Sequence, residues 1–230
     1  MTIPKYFCWT RFGTEAAQPI ELIVARKEEE RRAGNGIFLW GIGNAVGDAI
    51  TRLVASSENP KVLFSPIRSR PRACDVNPPA VAAWSEAVGL GGENFSLPER
   101  ALVTSRFDPL APRSVHYALV CQSEKPLAHS SCASRILLAG LKNLVTGRPV
   151  GFSQVTAVVE YEQSTSIGSV EYEIAFEARL VPPYFVRLYH PVLIHKGEIE
   201  VNLDFDRARS AIRDRRLERA RKAQLALSFP

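Results

Sequence analysis

The chain has 230 residues, 46% hydrophobic and 23% charged, which is the composition of an ordinary globular protein with one large domain or two small ones. No uninterrupted apolar run reaches membrane-spanning length, and Met1-Thr2-Ile3-Pro4-Lys5 lacks the basic start and long apolar segment of a signal peptide. A cytoplasmic location with no membrane partner is expected. The formal charge is +5, but Arg207 to Lys222 carries eight basic residues against Asp214 and Glu218, a net +6 that leaves the rest at −1.

In chain order, Tyr6 to Thr10 reads as a short aromatic strand. Pro19 suits a helix's first turn, and Ile20, Ile23, Val24 and Lys27 share one helical stripe. Opposite charges three or four apart between Arg26 and Arg32 support a solvated helix face, and Gly34-Asn35-Gly36 stops the helix. Ile37 to Ile42 predicts a strand. Asn44 can cap a following helix with Val46, Ile50, Leu53 and Val54 on its apolar face. Lys61 to Phe64 predicts another strand, and a short helix is expected around Val81 to Ala87, before a turn at Gly89 to Gly92. Leu102 to Phe107 and His116 to Gln122 read as strands. A polar stretch from Lys125 to Arg135 suggests a boundary, and Arg135 to Val145 a helix.

Beyond it, Gln154 to Gln163 and Val170 to Leu180 alternate with a period of two, which predicts antiparallel strands with one wet face. Pro182-Pro183 is expected to turn the chain into a third strand from Tyr184 to Ile194. Leu203 to Leu227 is expected to be a terminal basic helix. The fold class is therefore α+β. Residues 1–125 interleave short strands with helices, and residues 126–230 form an antiparallel meander and a helix, with the alternative that both make one domain.

The strand-to-helix junction Gly41-Ile42-Gly43-Asn44 places backbone amides beside Trp40, an arrangement suited to a planar or anionic ligand. It is not a dinucleotide fingerprint. Gly47 comes one residue late, and Phe64-Ser65-Pro66 stands where an acidic ribose partner would be. Trp9 and Trp40 each end a strand beside polar or glycine positions, so they are the candidate stacking rings, with Asn44 as a polar contact. Arg68, Arg70 and Arg72 alternate along a loop and can grip phosphates, while solvated loop charge is the ordinary explanation for such a run. In the basic segment, Arg207, Arg209, Arg213 and Arg216 are further phosphate candidates, and a surface helix facing no partner remains open.

Cys8, Cys74, Cys121 and Cys132 include no Cys-x-x-Cys pair and read as free thiols. Cys121, His129 and Cys132 lack a fourth ligand at a familiar zinc spacing, and no metal or other cofactor is expected. No hydrolase elbow, zinc-protease helix or phosphate-cradling loop motif occurs, so no catalytic residue is assigned. Glu171, Glu173 and Glu177 share one strand face with Glu160 and Glu162 nearby, an array that can hold magnesium or serve as an exposed sheet face.

The opening aromatic strand Tyr6-Phe7-Cys8-Trp9, a helix, then a glycine-preceded strand with Trp40 resembles the PUA-like superfamily, in particular its EVE, ASCH and YTH type domains. Strands at Val62 to Phe64, Leu102 to Thr104 and Tyr117 to Val120 continue the likeness over the first 125 residues or so. The resemblance implies a small curled β-barrel with flanking helices that binds RNA or a modified nucleobase in an aromatic-lined pocket, here Trp9, Trp40 and Asn44. The leading expectation is a non-catalytic nucleic-acid-binding protein. The alternatives are a divalent-metal enzyme acting on a nucleotide or nucleic acid through Asp75 or Glu160, Glu171 and Glu173, and a protein-interaction subunit docking through its terminal helix.

Overall fold

The computed structural model describes residues 2–13, 20–42, 46–67, 80–89, 91–96, 101–107, 116–127, 134–163, 168–195 and 198–202. Strand β1 (Tyr6–Phe12) leads to helix α1 (Ile20–Ala33), β2 (Ile37–Ile42), α2 (Gly47–Ser56) and β3 (Lys61–Pro66). Then come β4 (Ala80–Gly89), β5 (Asn94–Phe95), β6 (Ala101–Phe107) and β7 (His116–Gln122). The remaining strands are β8 (Arg135–Leu137), β9 (Leu141–Asn143), β10 (Thr156–Tyr161), β11 (Glu171–Glu173), β12 (Phe176–His195) and β13 (Glu198–Asn202), with a 3-10 turn at Leu138–Gly140. The fold is mixed α+β and mostly strand. Neither helix is long and apolar enough to cross a membrane.

The main sheet runs β2-β7-β12-β3-β1-β10-β9 and does not close into a barrel. Its β1–β3 pair is parallel and the other pairs on this path are antiparallel. The far half of β12 carries β4 and β13, and β4 in turn carries β5 and β6. Strands from both halves of the sequence thus interleave: β12 lies between β7 and β3, and β10 lies beside β1.

The sheet is covered on both faces. Side chains alternate along a strand, so Cys8 and Phe12 of β1 join Val62 and Phe64 of β3 in one core. That core takes Ile23 and Val24 from α1 and Ile50 and Leu53 from α2. Phe7 and Trp9 point the other way and join Leu63, Ala157 and Val159 in a second core. There the two-stranded β8–β11 sheet supplies Ile136 and Tyr172.

A buried ion pair ties α1 to the sheet. Lys27 is only 2% exposed; its Nζ donates to the Glu30 carboxylate at 2.8 and 2.9 Å and to the Leu39 carbonyl at 2.6 Å. Burial pushes the Lys27 ammonium down and the Glu30 carboxyl up, each opposed by its attraction to the other. The charged run on α1 is therefore not all solvated, as its spacing had suggested. Gly36, at φ +92, donates its N–H to the Arg31 carbonyl and closes the helix as expected.

Several expectations are overturned. Val81 to Ala87 is strand, because β4 finds an antiparallel partner along Val186 to Ile194 that outweighs the helix preference of its alanines. Arg135 to Val145 is two short strands around a 3-10 turn. There Gly140 lies so close to the Glu162 carbonyl that a Cβ would stand 2.2 Å from it. Val46 occupies the cap position of α2 and makes no side-chain cap bond; Asn44 lies outside the described residues. Nor does Pro182-Pro183 end a strand. β12 passes through it, pairing Leu180 with Cys121 and then Phe185 with Leu119, so four residues bulge opposite Val120 alone. The expected meander is absent too, since β10 and β12 are separated by β1 and β3. The terminal helix expected from Leu203 lies outside the described residues.

Candidate functional site

The two tryptophans singled out from the sequence are core rings. Trp9 is 0% exposed, and its indole N–H donates to the buried Ser65 hydroxyl at 2.9 Å. Trp40 is 6% exposed and meets Phe64 and Phe12 edge-on, with ring centroids 4.6 and 5.5 Å apart. A strand-end position gave the wrong impression of openness, because α1 and α2 cover one sheet face and β8–β11 the other. Neither ring offers a free face to a stacked base, and the two belong to different cores. Asn44, Arg68, Arg70, Arg72, Arg207, Arg209, Arg213 and Arg216 lie outside the described residues, as does Asp75.

The residue missed in the sequence is Arg11. Period-two alternation puts it on the face of Phe7 and Trp9, opposite Ser65 of the parallel strand β3. The side chain is a buried cation, 8% exposed, among three aromatic rings. Its Cζ stands 5.6 Å from the Trp9 and Tyr172 ring centroids and 5.8 Å from that of Phe152. These distances suit attraction between a cation and ring faces. Trp9 and Tyr172 themselves meet edge-on with centroids 5.0 Å apart.

The polar partners of Arg11 are few. Nη1 donates to the Tyr172 hydroxyl at 3.2 Å, while Nε is buried with no hydrogen-bond partner among the described residues. Among the described residues no carboxylate pairs with it, although Lys5, Lys27, Arg31, Arg32, Lys61, Arg135 and Lys142 all have one. A cation taken from water without a counter-ion is costly, and structures ordinarily neutralise it.

The surroundings leave this group near the surface. Phe152, in the turn that Gln154 closes by donating its N–H to the Gly151 carbonyl, is 67% exposed. The parallel strands β1 and β3 end together here, where Ile67 donates its N–H to the Phe12 carbonyl. Chemically, the arrangement is a buried cation that no described carboxylate neutralises, with an exposed ring beside it, and an anion is the group that would complement it. A strand read as far as Phe12 would have revealed it, since Arg11 then continues an apolar row.

The acidic residues do not converge. Glu160, Glu162, Glu171 and Glu177 pair with Lys5, Lys142, Arg135 and Lys61 respectively. Among the described residues, no three His, Cys, Asp or Glu side chains gather as metal ligands would. Cys8 and Cys121 are free and buried; desolvation pushes the Cys8 thiol up to about 12 and that of Cys121 well above its ordinary value. Neither is a reactive thiolate at neutral pH. Compared with protein-family models, with curated proteins and with solved structures, the chain matches none.

Proposed function

We propose that this protein binds nucleic acid without catalysing a reaction on it, and that the Arg11 site is where the strand is held. The observation that carries the reading is a buried guanidinium with no counter-ion among the described residues, 5.8 Å from a ring that is 67% exposed. Single-stranded nucleic acid offers the two complementary groups: phosphates for the cation and base faces for the ring. In this reading Phe152 takes the stacking role first assigned to Trp9 and Trp40, and those two rings build the wall behind it.

The Arg68, Arg70 and Arg72 run begins one residue after Ile67, where β3 ends beside β1, and it would extend the phosphate track. Asn44 is retained as a polar contact. Arg207, Arg209, Arg213 and Arg216 would add attraction that does not depend on sequence. The likeness to the PUA-like superfamily belongs to the same proposal; its support is the order β1-α1-β2-α2-β3 of the described elements.

A fluorescence titration with single-stranded DNA and RNA across a salt series tests the reading. Binding should weaken with salt, with a log–log slope of about −0.7 per phosphate neutralised. Phe152→Ala should cost about 1–3 kcal/mol, the worth of one stacked base. Absence of binding at low salt would refute the proposal.

A further inference from the structure

We infer that the Nε–Nη2 edge of Arg11 is a receptor for one phosphate group, a reading that rests on the nucleic-acid proposal for its source but not for its chemistry. Nη1 is already used on Tyr172, which leaves the opposite edge of the guanidinium without a partner among the described residues, and its Nε is buried. That edge presents two parallel N–H groups in the spacing that two oxygens of one anion accept.

Among the described residues, a full negative charge is what the site lacks. A neutral base edge would satisfy the N–H groups but would leave the buried charge uncompensated. The Trp9, Tyr172 and Phe152 rings all stand within 5.8 Å of the guanidinium carbon, so little freedom is lost when an anion arrives. Tyr172 accepts from Arg11 and has its own hydroxyl proton left to give, a further donor beside the edge. Phosphate, with more acceptor oxygens than a carboxylate, can use this donor as well as the edge. Phe152 flanks the approach and is mostly in solvent, so the anion enters past its ring.

The test observes Arg11 directly. The ¹H–¹⁵N signal of its Nε–H is followed by NMR while the wild-type protein is titrated with inorganic phosphate. Further titrations use a single-stranded oligonucleotide carrying a 5′-phosphate, the same oligonucleotide with a 5′-hydroxyl, and an uncharged nucleoside. The signal should shift saturably with inorganic phosphate and with at least the phosphorylated oligonucleotide, and stay in place with the nucleoside. A response to both oligonucleotides identifies a backbone phosphate; a response confined to the phosphorylated one identifies a terminal phosphate.

Arg11→Lys keeps the charge but loses the two-pronged edge, and should weaken oligonucleotide binding about tenfold or more. Oligonucleotide binding with an unmoved Arg11 signal would overturn the phosphate assignment while leaving the nucleic-acid reading in place. A signal that responds to inorganic phosphate when no oligonucleotide binds would support the receptor and overturn that reading. An unmoved signal in every titration would overturn the inference outright.

Discussion

Replacing Arg11 by methionine should make the ligand-free protein more stable, a result opposite to that of most core substitutions. Three ring contacts near 5.7 Å contribute up to about 2 kcal/mol each in this buried setting, of which a methionine sulfur among the rings regains about 0.3–1.5 kcal/mol each, and the bond to Tyr172 contributes about 1.5–3 kcal/mol. Against them stand an ionic desolvation of several kcal/mol and a buried Nε whose unmade bond costs about 1–3 kcal/mol. Methionine keeps a flexible apolar stem among the same rings and removes both penalties. The balance favours Arg11→Met by about 1–2 kcal/mol, or about 3–6 °C in Tm for a chain of this size. Urea denaturation and thermal melts, each with and without phosphate, make the measurement. Phosphate at a hundred times its Kd should stabilise the wild type by about 2.7 kcal/mol and leave the variant unchanged, reversing their order. A variant less stable than wild type by 2 kcal/mol or more without ligand would mean that Arg11 is a structural strut, and the reasoning would fail.

Lys27→Met should destabilise by about 3–5 kcal/mol in urea, because buried Glu30 loses the ammonium it is paired with; adding Glu30→Leu should recover most of the loss. Glu28 accepts from Arg31, Arg32 and the Leu127 amide, and its carboxyl is held down at about 2, chiefly by Arg31. Its folded pKa lies below the unfolded one, so its contribution is complete above about 4.5 and disappears as pH falls toward 2. The stability gap between wild type and Glu28→Gln should follow that curve in denaturation at stepped pH, and a gap constant with pH would contradict the assignment. Cys8 and Cys121 should resist a thiol reagent in the native state and react once urea is added, as read by mass-spectrometric mapping.

Local rules brought most of the N-terminal elements into view. β1, α1, β2, α2, β3 and β7 each carry their own periodicity and stop residues, and the buried Ile50 and Leu53 fall on the helical face expected of them. The errors arose where a distant segment decides. The alanines of β4 favour a helix until β12 pairs with them, and their partners lie about a hundred residues away in sequence. Ile136 and Leu141 suit a helix as well as two short strands, and only the close approach of Gly140 to Glu162 separates the readings. Exposure of Trp9 and Trp40 could not be judged from β1 and β2, since the cover comes from α2, β8 and β11. Arg11 is legible only when the first strand is carried past Thr10 to Phe12, where it continues the row of Phe7 and Trp9.

The insertion of β12 between β3 and β7 also bears on how the chain is made. While the ribosome has released only the first 125 residues, both of those strands lack the neighbour that will separate them. Their open flanks hold Val62, Leu63, Phe64, Leu119 and Val120, a sticky template for other nascent chains. A fragment cut there should precipitate, and the intact protein should complete its sheet only after β13 has emerged.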